Sequence, residues 1–149
     1  MWYPIHVVSI GIPPSCTRFS QPLDVYFHRQ LKIFIKNLHN SVYLLERDQE
    51  INTREDAIKT HALVHNQIRA PAFKNMIIYA WYASHLITDR DYFDNVNSVC
   101  FPERPPKSKC SFCTSISFAK CSWCRDFCCF KCYYIDYHPK RCDQFFINL

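Results

Sequence analysis

The constraint that dominates this chain is cysteine: ten in 149 residues, eight of them between positions 110 and 142. They follow the pattern Cys110-x2-Cys113-x7-Cys121-x2-Cys124-x4-Cys129-x2-Cys132-x5-His138-x3-Cys142, with Cys128 as an extra thiol beside Cys129. Two residues between paired cysteines let both sulfurs reach one tetrahedral metal at about 2.3 Å. Three such pairs plus His138 and Cys142 supply enough ligands for two zinc ions. A segment of about 40 residues cannot build a sufficient core alone, and each structural zinc contributes about 10–16 kcal/mol of apparent binding energy to such a module. Four protein ligands per ion leave no open position for water or substrate, so the expected metals are structural.

In a secreted protein the same cysteines would read as a disulfide framework. The opening MWYPIHVVSIGIPPS, however, carries no basic leader, too short an apolar run and no processing site before Pro13. No stretch approaches the ~18 apolar residues of a membrane span, so no membrane partner is expected. A reducing compartment with zinc is the reading that remains. Elsewhere, 48% hydrophobic and 16% aromatic residues provide material for a core and exclude wholesale disorder. A single glycine, Gly11, leaves few places for positive φ, which favours long helices over many tight hairpins. The net charge is +5, and from Phe101 onward eight Lys/Arg stand against four acids. The basic excess therefore lies mostly in the tail, where it fits a polyanion such as DNA or, equally, a solvated surface.

Taken in order, residues 5–10 (IHVVSI) read as a short buried strand, whose edge could pair across a dimer. A Pro13-Pro14 loop then leads to a helix that starts at Gln21-Pro22-Leu23-Asp24, because proline suits the first turn and a carboxylate there complements the helix dipole. Leu23, Phe27, Leu31, Phe34 and Leu38 recur on one face of it. Arg29, Lys32 and Lys36 fall off that stripe, and a break is expected near Asn40-Ser41. Thr53 reads as the N-cap of a helix running to about Arg69, with Ala57, Val64 and Ile68 on its apolar stripe. His61 and His65 sit four apart on it, without the neighbouring acid of an HExxH site. Pro71 opens a further helix in which Phe73, Ile77 and Trp81 share a face with Ser84 or His85, and Trp81 is expected in the core. The run TDRDYFDNVN is then a polar exit, and residues 102–109 are a proline-stiffened linker.

The phrase Pro13, Pro14, Thr17, Gln21, Pro22, Leu23, Asp24 resembles the end of the catalytic domain of DDE/DDD transposases of the pogo, Tigger and jerky group. There a comparable phrase introduces the third catalytic acid. The resemblance implies that Asp24 is that acid, that the IHVVSI strand is a late strand of an RNase H-like fold, and that a full-length parent binds Mg²⁺ at Asp24 to cleave and transfer DNA strands. Arg29, Lys32 and Lys36 would then flank the DNA backbone, and the location would be nuclear. Asp24 also fits an ordinary first-turn helix acid. The other two acids have no room before the strand, so the chain is expected to be catalytically incomplete, as the C-terminal part or a truncated descendant of such an enzyme.

The tail resembles the cross-brace modules of RING and PHD fingers and, in its short later spacings, the cysteine-rich C-terminal domain of piggyBac transposases. A cross-brace implies one ion on Cys110, Cys113, Cys129 and Cys132 and a second on Cys121, Cys124, His138 and Cys142. Sequential pairing and replacement of Cys129 by Cys128 remain the alternatives. Trp123, Phe127, Phe130, Tyr133 and Tyr134 lie between the ligands and suit either a binding surface or a small aromatic core. The expected fold is mainly α: the end of an RNase H-like α/β domain (1–46), a helical region (47–100), a linker (101–109) and a zinc module (110–149). The expected function is that of a transposase-derived DNA-binding fragment, with a zinc module that binds a chromatin or protein partner as the alternative.

Overall fold

The computed structural model describes residues 11, 13–45, 49–102 and 108–137. The expected strand at 5–10, most of the linker, His138 and Cys142 lie outside them. The described chain is mainly helical. Helix α1 (Thr17–Ser20) is followed by a wide π-type turn over Leu23–Phe27 and then by α2 (His28–Leu45), α3 (Arg54–Ile68), α4 (Lys74–Ala83) and α5 (Val96–Cys100). Among the described residues, strands occur only in the cysteine segment. There β1 (Ala119–Lys120) and β2 (Phe127–Cys128) pair antiparallel, with Ala119 opposite Cys128.

The helix starts at Pro22, as its proline and first-turn acid dictate. Leu23 nevertheless points outward and is 51% exposed. The π turn has more residues per turn than an α-helix, which rotates Leu23 off the face shared by Phe34 and Leu38. Those two residues and Val42 are buried, and α2 runs through Asn40-Ser41 to Leu45 without the expected break. Polar residues on its inner face hold it to α5: Gln30 Oε1 accepts from Val96 N–H at 3.2 Å, and Asn37 bonds Asn97. The Tyr26 hydroxyl donates to the Phe93 and Asp94 carbonyls, at 3.1 and 3.0 Å. Burial pushes its pKa up to about 12.

Helix α3 begins at Thr53 in a capping box: Asp56 N–H donates to Thr53 Oγ1 at 3.1 Å, and Thr53 N–H donates to the Asp56 carboxylate at 3.2 Å. Its inner face is Thr60, Leu63, Val64, Gln67 and Ile68, while Ala57 is exposed. Ala70 is extended, as a residue before proline prefers, and Pro71–Phe73 forms a 3-10 turn into α4. On α4 the buried residues are Met76 and Ala80, continuing from Phe73; Ile77 and Trp81 are 40% and 46% exposed. The expected Trp81 core position is thus wrong. Helix α4 packs on the Leu23–Phe27 turn, with Tyr79 against Tyr26 at 4.7 Å between ring centres, and the face turned inward is that of Met76 and Ala80 rather than that of Ile77 and Trp81.

The cysteine segment packs on the helices. One buried cluster runs from Phe34, Leu38 and Val64 through Val96 and Cys100 to Phe118, Cys121, Cys128, Tyr133 and Tyr134. The Tyr134 hydroxyl donates to the Asp56 carbonyl at 3.2 Å and bonds Thr60 Oγ1 at 3.1 Å. Phe130 stacks on Tyr134, and Phe118 meets Tyr133 edge-on.

Candidate metal centre

Two short loops, each shaped by its own backbone hydrogen bonds, meet at one point. In the first, Cys110 N–H donates to the Ser115 carbonyl at 2.9 Å and Phe112 N–H donates to Cys110 Sγ at 3.4 Å, which closes a tight loop carrying Cys110 and Cys113. The second loop leaves β2 at Cys129 and turns at once, with Tyr133 N–H donating to the Cys129 carbonyl at 2.9 Å, so that Cys132 comes back beside Cys129. Ser111 N–H donates to the Phe127 carbonyl at 2.8 Å and ties the loops together.

The result is that Cys110, Cys113, Cys129 and Cys132 place their four sulfurs within 4.8 Å of one another. Tetrahedral zinc with Zn–S bonds of about 2.3 Å requires sulfurs about 3.8 Å apart. Cys113 Sγ lies 3.5 Å from Cys129 Sγ and 4.0 Å from Cys132 Sγ, which brackets that value. The four-thiol group can hold a metal ion, and sulfur ligands in tetrahedral array favour zinc. First and third pairs meet here, and Cys129 takes the place beside Cys132. Cys128, the last residue of β2, is buried outside this four-sulfur group, and burial, with Cys121 and Cys124 nearby, raises its thiol.

The thiols are electrostatically unequal. Hydrogen bonds from the Ser115 side chain and backbone, with a further one from Cys129, hold Cys113 down to about 6. Burial pushes Cys129 and Cys132 up. A metal bound by all four takes them as thiolates and releases their protons.

Cys121 and Cys124 sit apart on a third loop, in which Cys121 N–H donates to the Asp126 carbonyl at 2.9 Å and Arg125 N–H to the Cys121 carbonyl at 3.0 Å. Arg125 is held there at φ 65°, a left-handed conformation uncommon for a residue with a side chain. This loop is gripped by α3. The wholly buried Gln67 accepts from Ser122 N–H and Oγ, each at 2.8 Å, and its Nε2 reaches Cys121 Sγ at 3.5 Å. Trp123 Nε1 donates to the Asn66 carbonyl at 2.8 Å, and Asn66 also bonds the Tyr137 hydroxyl. Cys100, on α5, is buried beside this loop, and burial, with Cys121 nearby, raises its thiol. Sequence pattern does not reveal Cys100 or Gln67, because one is an unpaired cysteine and the other a polar residue inside a helix.

Asp24 is on the surface, with His28 Nε2 3.7 Å from its carboxylate. With Arg29, Lys32, Ile33 and Lys36 the two line a shallow groove along α2. Among the described residues no other acid joins Asp24 in a metal-binding group, and the four-cysteine cluster is the one such group. His61 and His65 are exposed and stacked, with ring centres 6.5 Å apart. No helix among the described residues is long and apolar enough to cross a membrane. No family model, curated protein or solved structure matches the chain.

Proposed function

We propose that this chain is a zinc-stapled, transposase-derived protein that binds DNA through phosphate contacts and does not cut it. The observation that carries the reading is the convergence of Cys110, Cys113, Cys129 and Cys132, a closed donor set whose chemistry is structural. A second zinc on Cys121, Cys124, His138 and Cys142 completes the cross-brace; the grip of Gln67 on the Cys121 loop supports it.

The phrase ending in Asp24 supports the transposase ancestry, and in a full-length parent Asp24 would be one of three carboxylates around Mg²⁺. Among the described residues no group of three or more potential metal ligands includes Asp24, and two-metal chemistry needs a shared carboxylate cage. Arg29, Lys32 and Lys36 are all exposed on one side of α2, where they suit a phosphate backbone. Phe130, Tyr133 and Tyr134 are buried in the core, so they do not serve as a stacking platform for bases. Binding by phosphate contacts alone releases counterions and weakens steeply with salt. A nuclear location follows from the same reading.

The test is a titration of duplex DNA into the zinc-loaded protein over a range of salt, with magnesium-dependent cleavage assayed alongside. We expect affinity to fall steeply with salt, a shallower slope in Lys32→Glu/Lys36→Glu by about one unit per lost contact, and no cleavage. Salt-independent binding, or cleavage abolished by Asp24→Ala, would refute the proposal; the former would favour a chromatin or protein partner for the zinc module.

A further inference from the structure

Where α3 ends and α4 begins, the chain leaves a notch of about 300 Å³ with an apolar floor of Ile68, Pro71, Phe73 and Ile77 and a rim that includes Arg69 and Lys74. Its size is at the lower end of ligand pockets, so it suits a side chain or two of a peptide better than a cofactor. No carboxylate lines it. Arg69 and Lys74 are exposed, and neither has a carboxylate partner among the described residues. One turn beyond Ile77 on the same face, Trp81 stands 46% exposed, which extends the notch into an apolar ledge.

We propose that this notch and ledge dock a short acidic segment of a partner protein, one with a large apolar side chain next to a carboxylate. The apolar side chain enters between Ile68, Pro71 and Phe73, and the carboxylate meets Arg69, whose planar guanidinium binds carboxylates bidentately. Lys74 and the positive end of α4 add to the attraction. Trp81 provides the kind of large, rigid anchor that dominates protein interfaces. With Arg69 and Lys74 beside it and no carboxylate lining it, the notch selects against basic segments, and the apolar floor suits a side chain rather than a phosphate. The proposal is independent of the zinc and of the DNA reading.

The test is selection of phage-displayed random dodecapeptides on the full zinc-loaded chain, followed by affinity measurement on wild type, Arg69→Glu/Lys74→Glu and Trp81→Ala. We expect peptides that pair Asp or Glu with Leu, Phe or Trp, binding that saturates, and at least about tenfold weaker affinity in either variant. Zinc content and circular dichroism of both variants should match wild type, and Lys74→Gln should fall between. Peptides without acids, no enriched peptides, or equal binding to the double variant would overturn the proposal. So would duplex DNA that displaces the peptides and itself fails to bind Arg69→Glu/Lys74→Glu, since that outcome assigns the notch to nucleic acid.

Discussion

Gln67→Leu tests whether the helices hold the second cysteine loop in place. Leucine nearly conserves volume, so the change removes hydrogen bonds without opening a large cavity. Gln67 Oε1 accepts from Ser122 N–H and from Ser122 Oγ, both at 2.8 Å. The hydroxyl keeps a second acceptor, the Gln67 carbonyl at 2.7 Å, but the N–H loses its acceptor in a residue only 2% exposed. An unsatisfied buried donor costs about 1–3 kcal/mol. The Nε2 contacts, 3.5 Å to Cys121 Sγ and 3.3 Å to the Tyr137 hydroxyl, are long, and their loss is offset by the apolar surface leucine buries. The net expectation is about 2 kcal/mol, or a Tm lower by about 4–8 °C for a chain of this size. Thermal unfolding of the zinc-saturated protein by circular dichroism measures it, and faster amide exchange at Ser122 locates it. A loss below about 0.5 kcal/mol would mean that the Cys121 loop holds its shape without the Gln67 contacts.

On α4, Met76→Ala should cost about 2–5 kcal/mol, because Met76 is completely buried, whereas Trp81→Ala should stay within about 0.5 kcal/mol; denaturant unfolding of the two variants decides which face is inside. Thr53→Ala removes the α3 cap and should cost about 1 kcal/mol by the same assay. The Thr53 hydroxyl and backbone hold the Asp56 carboxyl below its ordinary range. Its contribution is therefore present above the unfolded carboxylate pKa and lost as pH falls through the lower folded value. In Thr53→Ala that acid-side loss should shrink, and carboxyl titration by NMR should place Asp56 higher.

Much of the scaffold was legible because it rests on local chemistry. Thr53 with acids in the first turn marks the start of α3, and Pro71 marks its end through the restriction on Ala70. The C-x2-C pairs mark the metal-binding loops, since ligand spacing is itself local. What was hidden depends on tertiary partners. The polar run before Cys100 contains a short helix whose Val96, Val99 and Cys100 are buried, but five residues are too few to show a period. Gln30, Asn37 and Gln67 are polar by type and buried by circumstance, each paired across the fold. On α4 two stripes start at Phe73, one through Ile77 and Trp81 and one through Met76 and Ala80, and the second is the buried one, a choice that periodicity alone does not make. The π turn that rotates Leu23 outward has no sequence marker either.

Zinc stoichiometry decides whether the four-thiol group holds a metal ion. Native mass spectrometry of the reduced protein, wild type against Cys110→Ser/Cys129→Ser, reads the number of ions and assigns one to the four-thiol group. The wild type should carry zinc, and the double variant should hold one ion fewer. A wild type without zinc, or a double variant with an unchanged zinc count, would contradict that assignment.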